Sequence, residues 1–298
     1  MSVLESRAIE QTFALPGLTL AARDWNVGGG VPVLALHGWL DNAGSFDLLA
    51  PRLTGCRVIA LDSAGHGRSG HRSADAAYNL WQDVRDVFGV ADLLGWTRFN
   101  LLGHSRGAAI ATLAAGTFPS RIERLVLIEG GIPVMGSADT APAMLARAFV
   151  EQQTKTGRGG RVFPTRETAI AERCRGFTEI NEQAAEILAR RSLREVEGGF
   201  QWQADQRLKA ESELRLTSQH VAAFVEAVTA PVHAFLASRS PFAQREDFRA
   251  MLRRFQTIEI SEITGSHHCH LEGAEEIIAA TVVKFLNSPI AANMSANR

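Results

Sequence analysis

The sequence predicts an α/β domain: a mostly parallel sheet with helices on both faces and one helical insertion. Three observations predict it. Short runs around residues 31–37, 56–62, 99–103 and 124–129 are apolar throughout rather than alternating, the pattern of parallel strands buried on both faces. Helical patterns lie between these runs, and strand–helix alternation builds a doubly wound sheet. The rhythm then stops at about residue 132 and returns after Pro231.

Taken in order, residues 9–15 and 18–25 read as strands separated by the Pro16-Gly17 turn signal. The strand at 31–37 is closed by Gly38, a helix is expected over 46–53, and the strand at 56–62 is closed by Ser63-Ala64-Gly65. Leu80, Val84, Val87 and Ala91 line one face of a helix at 80–94. The strand at 99–103, a helix at 108–118 and the strand at 124–129 follow. Residues 133–228 read as helices and loops, with helices at 143–155, 165–173, 181–190, 211–216 and 218–228. After it come a strand at 232–237, a helix at 244–254, a strand at 255–260 and a closing helix at 273–286. The small, polar tail from Ser288 is expected to fray. The organisation expected is thus a core of residues 1–132 and 229–298, with 133–228 inserted as a helical lid.

Bulk properties narrow the function. A chain of 298 residues fits one large domain, or a core with an insertion. Its net charge of −1 leaves no basic excess to neutralise phosphates, so nucleic acid is not an expected partner. No basic amphipathic segment suggests a membrane surface, and no stretch approaches the roughly 20 apolar residues of a span. Cys56, Cys174 and Cys269 are too widely spaced for a disulfide framework or a zinc site, which points to a reducing compartment. With no signal-peptide core near the N-terminus, the expectation is a cytoplasmic protein. It would act on a small molecule, with a homodimer as the candidate assembly.

The chemistry concentrates at Gly103-His104-Ser105-Arg106-Gly107, which fits G-x-S-x-G. The pentapeptide alone occurs by chance. A strand directly before it and a helix directly after make it specific, because a sharp strand-to-helix turn exposes the serine Oγ while the glycines let the backbone pack closely. Ser105 is therefore the candidate nucleophile. A base is available in Gly265-Ser266-His267-His268-Cys269-His270, between the last strand and the last helix. His267, nearest the strand end, is the first candidate and His268 its rival; His270 is expected to pack at the helix start. These loop histidines do not share a helix face and no acidic cluster accompanies them, so neither a metal nor any other cofactor is expected. The turn at His37-Gly38-Trp39 can present the Trp39 N–H to a developing oxyanion, with the Arg106 N–H as the second donor. The Arg106 side chain is expected to pair within the protein, the alternative being contact with an anionic substrate.

The order of His37-Gly38-Trp39, the 61–69 segment Leu-Asp-Ser-Ala-Gly-His-Gly-Arg-Ser, the Ser105 pentapeptide and the His267 loop resembles the α/β-hydrolase superfamily, over about 200 residues of core. Within it the chain is similar to the lidded serine hydrolase-like (kraken-type) group. The resemblance implies the α/β-hydrolase fold with an eight-stranded sheet. It also assigns Asp62 and His66 to a structural turn and selects His267 as the base. One position departs from the pattern. The family's usual acid follows the strand after the lid, where this chain has Ser240, and a neutral serine cannot stabilise an imidazolium. Some superfamily members carry the acid at the end of the strand before the lid, where this chain has Glu129. Glu129 is accordingly the expected acid, with Asp247 and Glu246 as alternatives. The leading expectation is hydrolysis of a small ester or related acyl bond. Carbon–carbon hydrolysis of a diketone and a non-catalytic ligand receptor are the competing ones. Dehalogenation and epoxide opening in this fold use an aspartate where this chain has Ser105.

Overall fold

The computed structural model describes residues 8–289, apart from 177 and 243. The expected frayed tail falls, from residue 290, outside the described residues. The main sheet has eight strands: β1 (Ile9–Leu15), β2 (Leu18–Trp25), β3 (Val31–Leu36), β4 (Cys56–Leu61), β5 (Phe99–His104), β6 (Ile122–Ile128), β10 (Val232–Ala237) and β11 (Ile258–Ile263). Their order is β1-β2-β4-β3-β5-β6-β10-β11. β1 pairs antiparallel with β2, and β2 with β4; every other neighbouring pair is parallel. Continuous apolar runs have a direct structural cause here. Leu34, Leu36, Ile59, Leu61, Leu101 and Leu127 enter the core on one face. Their neighbours Val33, Ala35, Val58, Ala60, Leu102 and Ile128 enter the core on the other. Both faces are covered, so neither half of the alternation can be polar.

On the first face lie α1 (Leu80–Leu93), α2 (Arg106–Thr117), α6 (Ser218–Ala227) and α7 (Glu246–Leu252). The second face is covered by α8 (Glu275–Asn287) and by two short 3-10 turns at Ala43–Phe46 and Ala50–Arg52. Those turns replace the single helix expected at 46–53, because Pro51 sits where a continuous helix would need a backbone donor. The last strand also starts three residues later than expected, since Phe255 packs in the first-face core before the chain extends.

The insertion contains α3 (Ala141–Lys155), α4 (Arg166–Cys174) and α5 (Glu182–Ser192), together with a three-stranded antiparallel sheet of β7 (Val162–Phe163), β8 (Leu193–Val196) and β9 (Gly199–Trp202). The expectation of helices and loops here missed this sheet: Gly198 and Gly199, both at positive φ, turn a β-hairpin. The helix expected at 211–216 is also absent; this segment is an irregular strap. The last helix of the expected lid, α6, packs on the core. Val221 and Val225 of α6 are buried in the same core as α2, and a Cβ on Gly116 would come within 2.4 Å of the Phe224 carbonyl oxygen. So α6, although inside the expected lid range, packs as a core helix. The insertion's own small core, Ile170, Ile180, Ile187 and Leu188, takes in Leu271 from the histidine loop. The insertion is thereby joined to the site through packing.

Candidate active site

The site forms where β3, β5, β6 and β10 end. β5 runs into α2 through Ser105, whose backbone sits at φ 52, ψ −115, a sparsely populated conformation costing of order 1–3 kcal/mol. Three close approaches hold it there. A Cβ on Gly107 would lie 2.1 Å from the Leu36 carbonyl oxygen, one on Gly103 2.4 Å from the Ala108 Cα, and one on Gly130 2.5 Å from the Ser105 carbonyl oxygen. Only glycine fits at these positions. The first contact also presses the start of α2 against the end of β3, so Arg106 and the Trp39 turn share one rim of the site.

Ser105 Oγ lies 2.9 Å from His267 Nε2, and His267 Nδ1 lies 3.2 Å from Glu129 Oε2. Glu129 is completely buried and held on two sides. Its N–H donates to the Phe235 carbonyl at 2.9 Å, and its Oε1 accepts the Ala237 N–H. Like Ser105, it is a non-glycine residue at φ 52. With the Nδ1–H directed at a fixed carboxylate, the lone pair of Nε2 faces the serine. Asp247 and Glu246 lie elsewhere, exposed and paired with Arg245 and Arg253. Ser240, at the family's usual acid position, is buried with its Oγ accepting the Phe242 N–H at 3.0 Å.

The neighbouring histidines are structural in their contacts. His37 Nε2 accepts the Ser63 N–H at 3.0 Å and its Nδ1 lies 2.7 Å from the Gly38 carbonyl oxygen. His104 Nε2 lies 2.9 Å from the His267 carbonyl oxygen and so fixes that backbone. Burial lowers the His104 pKa to about 3 and holds His37, His66 and His270 below the usual range for histidine. Cys269, beside His270, has its thiol pushed up to about 12 by burial, which removes it as a nucleophile.

The expectation that no acidic group accompanies the loop histidines is corrected: Asp41 does. Asp41 Oδ2 lies 3.2 Å from His268 Nε2 and 3.6 Å from His104 Nδ1, a donor set that could in principle hold a metal ion. The guanidinium of Arg173 occupies its other side, donating to Asp41 Oδ1 at 2.7 Å and lying 3.5 Å from His268 Nε2. A cation there would face that fixed positive charge, so the chemistry of the set favours an ion-pair clamp over a metal centre. Burial alone would raise the Asp41 pKa; His268, His104 and Arg173 together hold it well below the carboxylate range.

This clamp is part of a larger one that the sequence did not reveal. Consecutive parts of the loop after β3 are gripped by the insertion. Trp39 Nε1 donates to the Leu208 carbonyl at 2.9 Å, Asp41 pairs with Arg173, and Asn42 Nδ2 donates to the Leu188 carbonyl at 2.9 Å and to Ser192 Oγ at 2.6 Å. Asp62, expected as scaffold, accepts from the Ala43 N–H at 2.7 Å and from Arg191 Nε at 2.8 Å. A carboxylate two residues after a strand-end turn was the one available signal for Asp41; nothing in the spacing pointed to Arg173. The Arg106 side chain pairs with Asp83 of α1 at 2.5 Å. A cavity of about 420 Å³ opens above Ser105, and Trp39, Arg106, Glu129 and His267 are among the residues lining it.

An eight-stranded, mostly parallel sheet with a strained serine at a strand-to-helix elbow is accompanied by a direct match to a family model, "alpha/beta hydrolase fold", over residues 31–290. The chain belongs to the alpha/beta hydrolase fold family. Within that family it is 28% identical over 295 residues to serine hydrolase-like protein 2 of Homo sapiens, spanning 93% of each chain. It is 25% identical over 272 residues to the 2-(acetamidomethylene)succinate hydrolase of Mesorhizobium japonicum, covering 91% of this chain and 92% of that one. Among solved structures, a hypothetical protein of Pseudomonas aeruginosa PAO1 superposes with a TM-score of 0.90 at 45% identity, covering 94% of this chain and 99% of that one. Serine hydrolase-like proteins of Homo sapiens and Danio rerio are thus among the relatives to which this hydrolase-fold chain is similar over most of its length.

Proposed function

We propose that this chain is a serine hydrolase that cleaves a small carboxylic ester or related acyl bond through an acyl-enzyme on Ser105. The observation that carries the reading is the continuous line Ser105 Oγ, His267, Glu129, with contacts of 2.9 and 3.2 Å. Ser105 attacks the acyl carbon while His267 Nε2 takes its proton. Glu129 orients the ring and stabilises the imidazolium, which then protonates the leaving alcohol. Water repeats the sequence to release the acid. The N–H groups of Trp39 and Arg106 hold the oxyanion, a contribution worth about 3 kcal/mol per donor in comparable sites. Among the described residues no helix is long and apolar enough to cross a membrane, and the free thiols of Cys56 and Cys269 suit a reducing cytoplasm.

The test is hydrolysis of p-nitrophenyl esters by the purified protein and by Ser105→Ala. The wild type should turn over and the variant should lose at least a thousandfold in kcat while unfolding at the same temperature. A variant within tenfold of wild type contradicts the assignment. A diketone ring-fission product assayed in parallel separates ester from carbon–carbon hydrolysis, which would use the same three side chains.

A further inference from the structure

The cavity above Ser105 has one continuous apolar wall. Leu80, Ala109, Ile132, Leu216, Phe242 and Phe248 line it. Leu80, Ile132, Leu216 and Phe242 pack directly on the first-face core that contains Phe248, so the wall is an outcrop of that core. It begins at the chemistry: the Phe242 ring lies 5.4 Å from the His267 ring and 5.5 Å from Phe248. Ala109 is one helical turn beyond Ser105 on α2 and lines the cavity there.

The arginines around the same cavity are committed to the protein. Arg207 directs Nε at Asp205, Nη1 at the carbonyls of Ser73 and Ala76, and Nη2 at Asp205 and the Arg72 carbonyl, which uses its donors. Arg106 is paired with Asp83, and Arg215 with Glu211 at 2.8 Å. Glu213 faces the cavity with the neutral amides of Asn79 and Gln152 as hydrogen-bond partners, and its charge repels an incoming carboxylate. Lys209 also lines the cavity, but its side chain is exposed and contacts Gln206 Oε1 at 3.2 Å.

Resting on the serine-hydrolase reading above, we propose that the acyl group accepted at Ser105 is an uncharged hydrocarbon chain laid along the Leu80–Phe248 wall, and that acyl groups bearing a carboxylate are rejected. Each methylene transferred from water to such a wall is worth about a fourfold gain in transition-state binding.

The experiment compares p-nitrophenyl acetate, butanoate, pentanoate and hexanoate with the p-nitrophenyl monoester of succinic acid, whose acyl chain is close to pentanoate in length. The kcat/KM should rise about threefold to fourfold per methylene up to pentanoate, and the succinyl ester should fall at least tenfold below pentanoate. Acetate as the best substrate, or succinyl equal to pentanoyl, overturns the proposal. If the succinyl ester is favoured and Lys209→Ala removes the preference, Lys209 is an anion receptor and the proposal is likewise wrong. A parallel thermal-shift titration of Ser105→Ala with the pentanoyl and succinyl esters reads the same preference without turnover. Stabilisation by pentanoyl alone supports the proposal even where no ester is cleaved, in which case the ester-hydrolase reading fails by itself. Stabilisation by the succinyl ester alone, equal stabilisation by both, or stabilisation by neither overturns the inference about the wall.

Discussion

At the scale of single residues, the site is a matter of where two strained backbones point their side chains. Ser105 and Glu129 share φ 52 at the ends of adjacent strands, with His267 between them. Glu129→Gln keeps the shape but can offer an amide N–H to the ring, so the imidazolium loses its charge partner. The expected loss in kcat is roughly 10³–10⁴-fold, by analogy with neutralised triad acids; retention of near-full activity in steady-state assays counts against it. Similarly, His267→Ala should match Ser105→Ala in severity while His270→Ala and His268→Ala stay milder; if His268→Ala proves the most damaging of the three, the base has been misassigned. All three hydrogen-bonded side chains were legible in the sequence because each sits at a strand end with local punctuation. Ser105 has its glycines, His267 follows the last strand, and Glu129 gained its case from the serine at position 240. Asp41 and Phe242 were not legible, since a buried ion pair or a ring contact leaves no periodic trace.

At the scale of elements, the insertion grips the loop after β3. It supplies Arg173 from α4, Leu188 and Ser192 from α5, and the carbonyl of Leu208 from the short 3-10 turn Gln206–Lys209 to the loop that carries Trp39, the expected oxyanion donor. Arg173→Met leaves the Asp41 carboxylate buried against His268 without its guanidinium. Removing one partner of a buried pair costs about 3 kcal/mol, so the urea midpoint should fall markedly, and kcat should fall more than KM rises because the loop loses its anchor. An unchanged midpoint and kcat would show the clamp to be incidental. The helices of the insertion were readable from apolar spacing, but the hairpin at β8–β9 was not. Arg194 and Glu195 are exposed on a short, two-residue-turn ribbon whose pattern is too brief to show a period of two. The helix expected at 218–228 is α6 (Ser218–Ala227), but its packing was not readable: Val221 and Val225 announce an amphipathic helix without saying which surface they meet.

At the scale of the whole molecule, the parallel sheet was the most legible feature, because burial on both faces writes apolar residues at every position of a strand. The cluster of buried histidines behind it gives the protein a pH dependence. His37, His66, His104 and His270 have pKa values lowered in the folded state, chiefly by burial, with His104 at about 3. The unfolded chain protonates these groups from about pH 6.5 downward while the folded protein resists it. The unfolded state then binds more protons, so stability is fully present above that pH and is lost as pH falls. Each such histidine contributes up to about 1.4 kcal/mol per pH unit in that window. The depressed Asp41 acts in the same direction at lower pH, through the carboxylate range. Urea midpoints should therefore drop steeply between pH 7 and pH 5, and equal midpoints at the two would mean that the histidines take up protons without unfolding.

Active-site labelling reads the proposed activation of Ser105 through His267 and Glu129 directly. The purified protein is incubated with a fluorophosphonate and the modified peptide is mapped by mass spectrometry. A single stoichiometric adduct on Ser105 is expected, absent in Ser105→Ala and formed at least a thousandfold more slowly in Glu129→Gln. No adduct, or one on another residue that survives Ser105→Ala, would contradict that activation.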